Sequence, residues 1–219
     1  MSLLTPKRLD EPELLDEDDA PRADMERSLR DLRRFNRYAG GLTTYRRMLR
    51  RFGNVRSVLD LGAGTADLVD SVPGDVLRIA LDFKIDHLLY LREQSRSRRV
   101  VGDAQFLPFR SGSIDVITSS HFFHHFDPAT NAEILREALR VARRGVAMTD
   151  TRRHYLPLAF TLFLAALRLV GRITRSDAPG SIRRGYTVDE ARSVAARVGS
   201  PKSQVLKYFP FRFGIILEK

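Results

Sequence analysis

The residues with the clearest chemical potential lie between Val58 and Phe126. Val58-Leu59-Asp60-Leu61-Gly62-Ala63-Gly64-Thr65-Ala66-Asp67 runs an apolar strand into two glycines and a helix start. Gly62 and Gly64 permit a tight turn and let a ligand approach the backbone. The helix start adds free N–H groups and a positive dipole end. A dinucleotide site wants a third glycine where this chain has Asp67, so a carboxylate stands where pyrophosphate would sit. Three further acids end or follow strands. Asp60 precedes the glycines and can face a cationic amine. Asp82 closes the second strand and can accept from both hydroxyls of a ribose. Asp103, in Val100-Val101-Gly102-Asp103-Ala104, can accept from an exocyclic amine of adenine. Together they suit a ligand with a sugar, a base and positive charge, and repel a phosphate.

A second cluster is Ser120-His121-Phe122-Phe123-His124-His125-Phe126, just after the fourth strand. Ligands of parallel-sheet proteins bind outside the carboxyl ends of strands. Imidazoles there titrate near neutrality. His121 or His124 can therefore serve as a base or orient a phenol, and His124-His125 can equally cap and pack the loop. No metal is expected, because adjacent histidines project apart and no carboxylate stands at ligand spacing.

The elements that must position these groups follow from periodicity. Met25, Leu29, Leu32 and Phe35 recur at helical spacing up to Gly40-Gly41, and a second helix is expected from Leu42 to Phe52. Strands are expected at Val55–Leu61, Asp75–Leu81, Arg99–Gly102, Ile114–Thr118 and Val146–Thr149. Asp127-Pro128 caps the helix that follows the histidines. Leu156–Val170 is a strongly apolar helix candidate, and Thr187-x-x-Glu190 is a capping box. Val205–Phe209 and Arg212–Leu217, split by Pro210, read as a closing antiparallel pair. Alternating strands and helices point to a parallel sheet with helices on both faces.

Composition sets bounds. The 219 residues suffice for one domain with a full core. Zero cysteine removes disulfides, thiol nucleophiles and Cys-ligated metals, and suits a reducing cytoplasm. Seven carboxylates between Asp10 and Asp19 fill the place of a signal-peptide apolar region. The Leu156–Leu167 stretch falls short of the ~20 residues of a membrane span. Net charge is +10, but only five of the 37 basic residues are Lys. That bias reads mainly as solvated faces filled with Arg, although Arg22–Arg56 carries eleven Arg against three acids.

From Val55 to Asp150 the chain resembles the class I S-adenosylmethionine-dependent methyltransferases, in the branch of quinone-biosynthesis and small-molecule enzymes. Asp60-Leu61-Gly62-Ala63-Gly64-Thr65 is similar to the family's glycine motif, and Ala80-Leu81-Asp82 to its ribose-binding strand end. Gly102-Asp103-Ala104-Gln105-Phe106-Leu107-Pro108-Phe109 resembles the adenine-binding segment, and Ser113–Ser120 the fourth strand under the methyl group. The resemblance implies an α/β, Rossmann-like fold: a seven-stranded, mostly parallel sheet with an antiparallel C-terminal strand pair, an N-terminal helical cap and an inserted helical lid. It implies S-adenosyl-L-methionine as cofactor, contacted by Asp60, Gly62, Ala63, Gly64, Thr65, Asp82, Phe83, Asp103, Ala104 and Ser120. Ala66 departs from the third glycine of many members. Enzymes methylating adenine, cytosine or glutamine amides usually carry Asn/Asp-Pro-Pro-aromatic where this chain has Ser119-Ser120-His121-Phe122, so nucleic acid is not the expected partner.

The implied organisation is a flexible acidic leader (1–21) and one methyltransferase domain (22–219). The domain divides into a cap (22–53), a cofactor-binding core (54–150), an acceptor lid (151–186) and a closing helix and strands (187–219). Tyr155, Phe160, Phe163, Arg183 and Tyr186 are the expected acceptor-facing residues. Arg37, Tyr45 or Arg46 is expected at the methionine carboxylate. The expected acceptor is a small apolar or aromatic molecule, phenolic or polyketide- or quinone-like, methylated at oxygen or carbon, with peripheral membrane contact through the 156–170 helix. Two alternatives stand beside this reading. One is RNA or protein methylation using the Arg-rich face, and the other is a basic binding module with a vestigial cofactor pocket.

Overall fold

β1 (Ser57–Leu61) is buried along its whole length, and so is β4 (Ile114–Ser120). Strands covered on both faces carry near-continuous apolar runs, which is what Val58-Leu59 and Val116-Ile117 supply. The structure is a computed structural model that describes residues 5–9, 13–16 and 21–219. β2 (Leu77–Asp82), β3 (Arg98–Val101) and β5 (Ala142–Thr151) join these two in parallel. β7 (Arg212–Glu218) runs antiparallel to both β5 and β6 (Lys202–Tyr208). The order is β3-β2-β1-β4-β5-β7-β6. The chain leaves β1 toward β2 and later returns on the other side as β4, so a crevice opens at the carboxyl ends of β1 and β4.

Helices cover both faces. α1 (Arg22–Tyr38) and α2 (Gly41–Leu49) precede the sheet, and α2 buries Tyr45, Met48 and Leu49. The short α3 (Asp67–Asp70) and α4 (Ile85–Leu89) follow the first two strands. α5 (Pro128–Val141) opens on Asp127, whose side chain accepts from the N–H groups of Ala129 and Thr130, as the Asp-Pro pair predicts. α8 (Val188–Ala196) opens on the complete Thr187/Glu190 capping box.

The lid differs from expectation. The apolar helix α6 ends early (Tyr155–Ala166), and a second helix, α7 (Arg172–Arg184), follows it. Ser176, Pro179 and Gly180 break the apolar period of α7, which hides it in the sequence. Burial of Ile173 and Ile182 and the side chain of Asp177 hold it. The leader differs too. Arg8 donates to the Phe126 carbonyl and lies over the Tyr186 ring. The N–H groups of Leu14 and Leu15 donate to Asp177 at 3.0 and 2.9 Å. These described parts of residues 1–21 are pinned to the body because each finds a buried partner there. The rest of the leader lies outside the described residues.

Candidate active site

The glycine turn rests on positive backbone angles at Gly62 (φ 60°), Gly64 (φ 50°) and Ala66 (φ 61°). A Cβ on Gly62 would come within 2.3 Å of the Phe122 ring, so that position must be glycine. Beside Gly64 a Cβ would meet nothing within 4 Å, because the turn opens onto a cavity of about 980 Å³. The left-handed angle at Ala66 accounts for the glycine that resembling sequences carry there.

At the near end of the cavity lie Gly62, Gly64, Asp82, Phe83, Asp103 and Ala104. Asp82 accepts from the Gly64 N–H (2.8 Å) and the Lys84 N–H (2.9 Å), and Asp103 accepts from the Gln105 N–H (2.8 Å). These bonds fix each carboxylate at the wall. Asp60 lies beneath the turn and does not line the cavity. Thr118 donates to it at 2.7 Å and receives the Tyr45 hydroxyl at 2.9 Å. Burial, with Asp67, Asp82 and Asp70 adding to it, pushes the Asp60 carboxyl up to about 7. Asp67 bonds Thr65 (2.9 Å) and Asn36 (3.1 Å), which ties α1 across the turn. Thr65, Ala63 and Ser120 stand behind the lining. Tyr45 is buried at Thr118 and Arg46 bonds the Ser71 carbonyl. Arg37 lies over the Tyr38 ring.

The far end is apolar on its sides and charged on its floor. Leu29, Leu32, Phe35, Phe122, Phe126, Leu156, Phe160 and Ile182 make the sides. On the floor, His124 Nδ1 donates to Asp150 at 2.8 Å, and Nε2 faces Glu13 at 3.3 Å. Burial opposes a charge on His124, but the two carboxylates outweigh it and raise its pKa to about 10. Burial also opposes the charge on Glu13, yet His124, His125 and Arg184 hold it down to about 2. His121, at φ 55°, accepts on Nε2 from Arg212 at 2.8 Å. Burial, then the Arg212 charge, lowers its pKa to about 3. His124 therefore has both ring nitrogens engaged, and His121 is neutral with one nitrogen already accepting.

Arg212 is 1 % exposed and also donates to Ser120 at 2.9 Å. The antiparallel register Thr151↔Arg212 delivers it to the end of β5. Nothing local in the sequence marks it. Glu13 was hidden in an acidic run. Asp150 did carry a signal, since it stands next to the end of β5 much as Asp82 stands at the end of β2. Of the expected lid residues only Phe160 lines the cavity. Tyr155 and Phe163 face outward at 48 % and 57 % exposure. Arg183 is not in the lining. Tyr186 is fully buried under the loop, because its hydroxyl donates to the Phe126 carbonyl at 2.6 Å and accepts from Asn131 at 3.0 Å.

Residues 59–149 match a protein family described as "Methyltransferase domain". Among solved structures the chain is similar to a SAM-dependent methyltransferase from Aquifex aeolicus (17 % identity, 87 % of this chain, 97 % of that one, TM-score 0.60). It is also similar to a putative S-adenosyl-L-methionine-dependent methyltransferase from Methanococcus maripaludis (16 % identity, 96 % of each chain, TM-score 0.66). A third is the plantazolicin methyltransferase BpumL in complex with SAH (12 % identity, 94 % of this chain, 92 % of that one, TM-score 0.70). No curated protein matches the sequence. The chain thus carries a methyltransferase domain over residues 59–149 and shares the fold of S-adenosylmethionine-dependent methyltransferases.

The residues at the near end of the cavity fit S-adenosylmethionine. The open cradle at Gly64 leaves room for a ligand against the backbone, and the carboxylates of Asp82 and Asp103 stand beside it with Lys84, His87 and Gln105. Asp82→Ala should weaken S-adenosylmethionine binding by about 1–3 kcal/mol through lost charged hydrogen bonds; titration calorimetry reads this, and an unchanged affinity would remove Asp82 from the site. Asp60 predicts a pH effect. Its native pKa of about 7 exceeds the ordinary 3.8. The folded state thus holds a proton that the unfolded chain has lost between those values. Its contribution to stability is complete below about pH 4 and declines as pH rises through 7. Asp60→Asn should flatten this slope in thermal melts from pH 5 to 8; an unaltered slope would contradict the assignment.

Proposed function

We propose that the enzyme methylates a small apolar or aromatic acceptor, phenolic or polyketide- or quinone-like, at oxygen or carbon. The observation that carries this reading is the continuity of one cavity from the glycine turn to the apolar walls of α1, α6 and α7. Among its lining residues the only Lys and Arg are Lys84, Arg184 and Arg212, which speaks against RNA or a basic binding role at this site.

S-adenosylmethionine supplies an electrophilic methyl group on a good leaving group, so the protein's tasks are alignment and exclusion of water. Asp82 and Asp103 hold the near end, with Gly62, Gly64, Phe83 and Ala104 forming the bed. Asp60, Thr65 and Ser120 support that bed from behind. Phe122, packed on Gly62, divides the two ends. Leu32, Phe35, Phe126 and Phe160 surround the acceptor. His121 and His124 act here as a fixed polar floor. His121 keeps Nε2 on Arg212 and turns Nδ1 toward Asp150 at 3.9 Å, and His124 contributes charge held between Asp150 and Glu13. A panel of phenols, naphthols and quinols assayed with radiolabelled cofactor tests the acceptor class. Turnover is expected with apolar phenols, and Phe160→Ala should raise KM more than it lowers kcat. Turnover confined to RNA or protein substrates would refute the acceptor class.

Peripheral contact with an anionic membrane belongs to the same reading. Among the described residues no helix is long and apolar enough to cross a membrane. α6, however, is apolar on every side, yet only Thr161 on it is buried. A helix apolar all round normally lies in a core or against lipid. Leu162, Phe163, Leu167 and Leu169 are exposed, with Arg168 between the last two in sequence and Arg34 sharing a groove with Leu169. Vesicles containing phosphatidylglycerol should co-sediment the protein and phosphatidylcholine vesicles should do so poorly. Leu162→Asp with Phe163→Asp should abolish the difference; equal sedimentation of wild type and variant would refute membrane docking.

A further inference from the structure

We propose that Glu13, His124 and His125 form a site for a divalent transition-metal ion in the floor of the acceptor cavity. One ligand atom from each lies within 4.8 Å of the others, and all three residues line the cavity. The adjacent histidines do not project apart, contrary to the sequence expectation. They sit on a 3-10 turn (Phe123–His125) that stacks their rings with centroids 4.4 Å apart. The Glu13 carboxylate spans the pair, with Oε1 3.3 Å from His124 Nε2 and Oε2 3.9 Å from His125 Nε2. Metal–ligand bonds of about 2.0–2.2 Å at tetrahedral angles place neighbouring ligand atoms roughly 3.3–3.5 Å apart. The first pair already has that spacing, and the second needs a small inward shift.

The surroundings are those of a supported site. Asp150 binds His124 Nδ1 at 2.8 Å, which fixes the ring and turns Nε2 toward Glu13. Metal-bound histidines are held in the same manner by an outer carboxylate. Ser181 and Arg184 donate to Glu13 Oε1 and steady the carboxylate. Glu13 and Asp150 bring two negative charges, one of them already met by Arg184, and the ion takes the place of the proton on His124 Nε2. Two imidazoles and one carboxylate suit Zn²⁺, Co²⁺ or Fe²⁺ better than Mg²⁺ or Ca²⁺. The remaining positions open onto the cavity, where such an ion acts as a Lewis acid toward a hydroxyl. The site goes beyond the acceptor reading and stands on the geometry of these side chains alone.

The test is titration of the chelator-treated, full-length protein with Co²⁺, followed by visible absorption and calorimetry, and then displacement by Zn²⁺. One equivalent of Co²⁺ is expected, with d–d bands of a low-symmetry site. Outer-shell changes already cost metal sites about 10–100-fold in affinity, so Glu13→Gln and His125→Ala should each lose at least that much. His154→Ala, which removes a histidine outside the cluster, should keep the stoichiometry. Absence of specific uptake by the wild type, or uptake undiminished in Glu13→Gln and His125→Ala, would overturn the proposal. Thermal melts establish that each variant folds, and either one suffices if the other does not. Titration of the same wild-type sample with S-adenosylmethionine reports separately on the methyltransferase reading.

Discussion

Negative charge packed around the glycine turn is the constraint on which the rest of the site depends. Asp60, Asp67, Asp70 and Asp82 crowd together there, and their hydrogen-bond partners are neutral: Thr118, Thr65, Asn36 and backbone N–H groups. Burying the Asp60 carboxylate is costly and its raised pKa shows the cost, whereas the charges of Arg33 and Arg99 act on the half-buried Asp67 and Asp70. A guest bearing positive charge relieves this and a pyrophosphate worsens it. Of these acids only Asp82 lines the cavity, and the charge behind it disfavours a pyrophosphate and suits a sulfonium nucleoside.

The opposite end of the cavity is organised on another principle. Its charges are matched within the protein. His124 lies between Asp150 and Glu13, Arg184 meets Glu13, and Arg212 meets His121 and Ser120. A matched floor beneath apolar walls leaves no net demand for a charged acceptor. It also binds the N-terminal segment to the chemistry, since Glu13 comes from the chain ahead of α1. α1 itself is held at both ends of the cavity. Asn36 bonds Asp67 beside the glycine turn, and Asp31 accepts from the Gly171 N–H ahead of α7. One helix thus contacts both the glycine turn and the segment ahead of α7.

Legibility in the sequence followed the range of the interactions. β1, the glycine turn, Asp82 and the Asp127 cap are local patterns, and each stands where the sequence places it. Strand and helix alternation yields the mostly parallel sheet with its antiparallel C-terminal pair, not the strand order. α7 was missed because Pro179 and Gly180 blur its apolar period. Tyr186, Arg212 and Glu13 depend on contacts across 60, 92 and 171 positions, and no local pattern records such pairings. Tyr186 reads as a pocket aromatic until its hydroxyl is seen to close the Phe126 loop. Asp60 was legible as an acid near the ligand but not as one lying beneath it, a distinction that strand pleat and neighbour packing decide.

The most direct trial of this account is calorimetric titration of the purified chain with S-adenosylmethionine, in the presence and absence of NAD⁺. The charge argument requires one-to-one binding of the sulfonium nucleoside with no displacement by the dinucleotide. Binding of NAD⁺ to the turn, or a chain that takes up neither molecule, would contradict it.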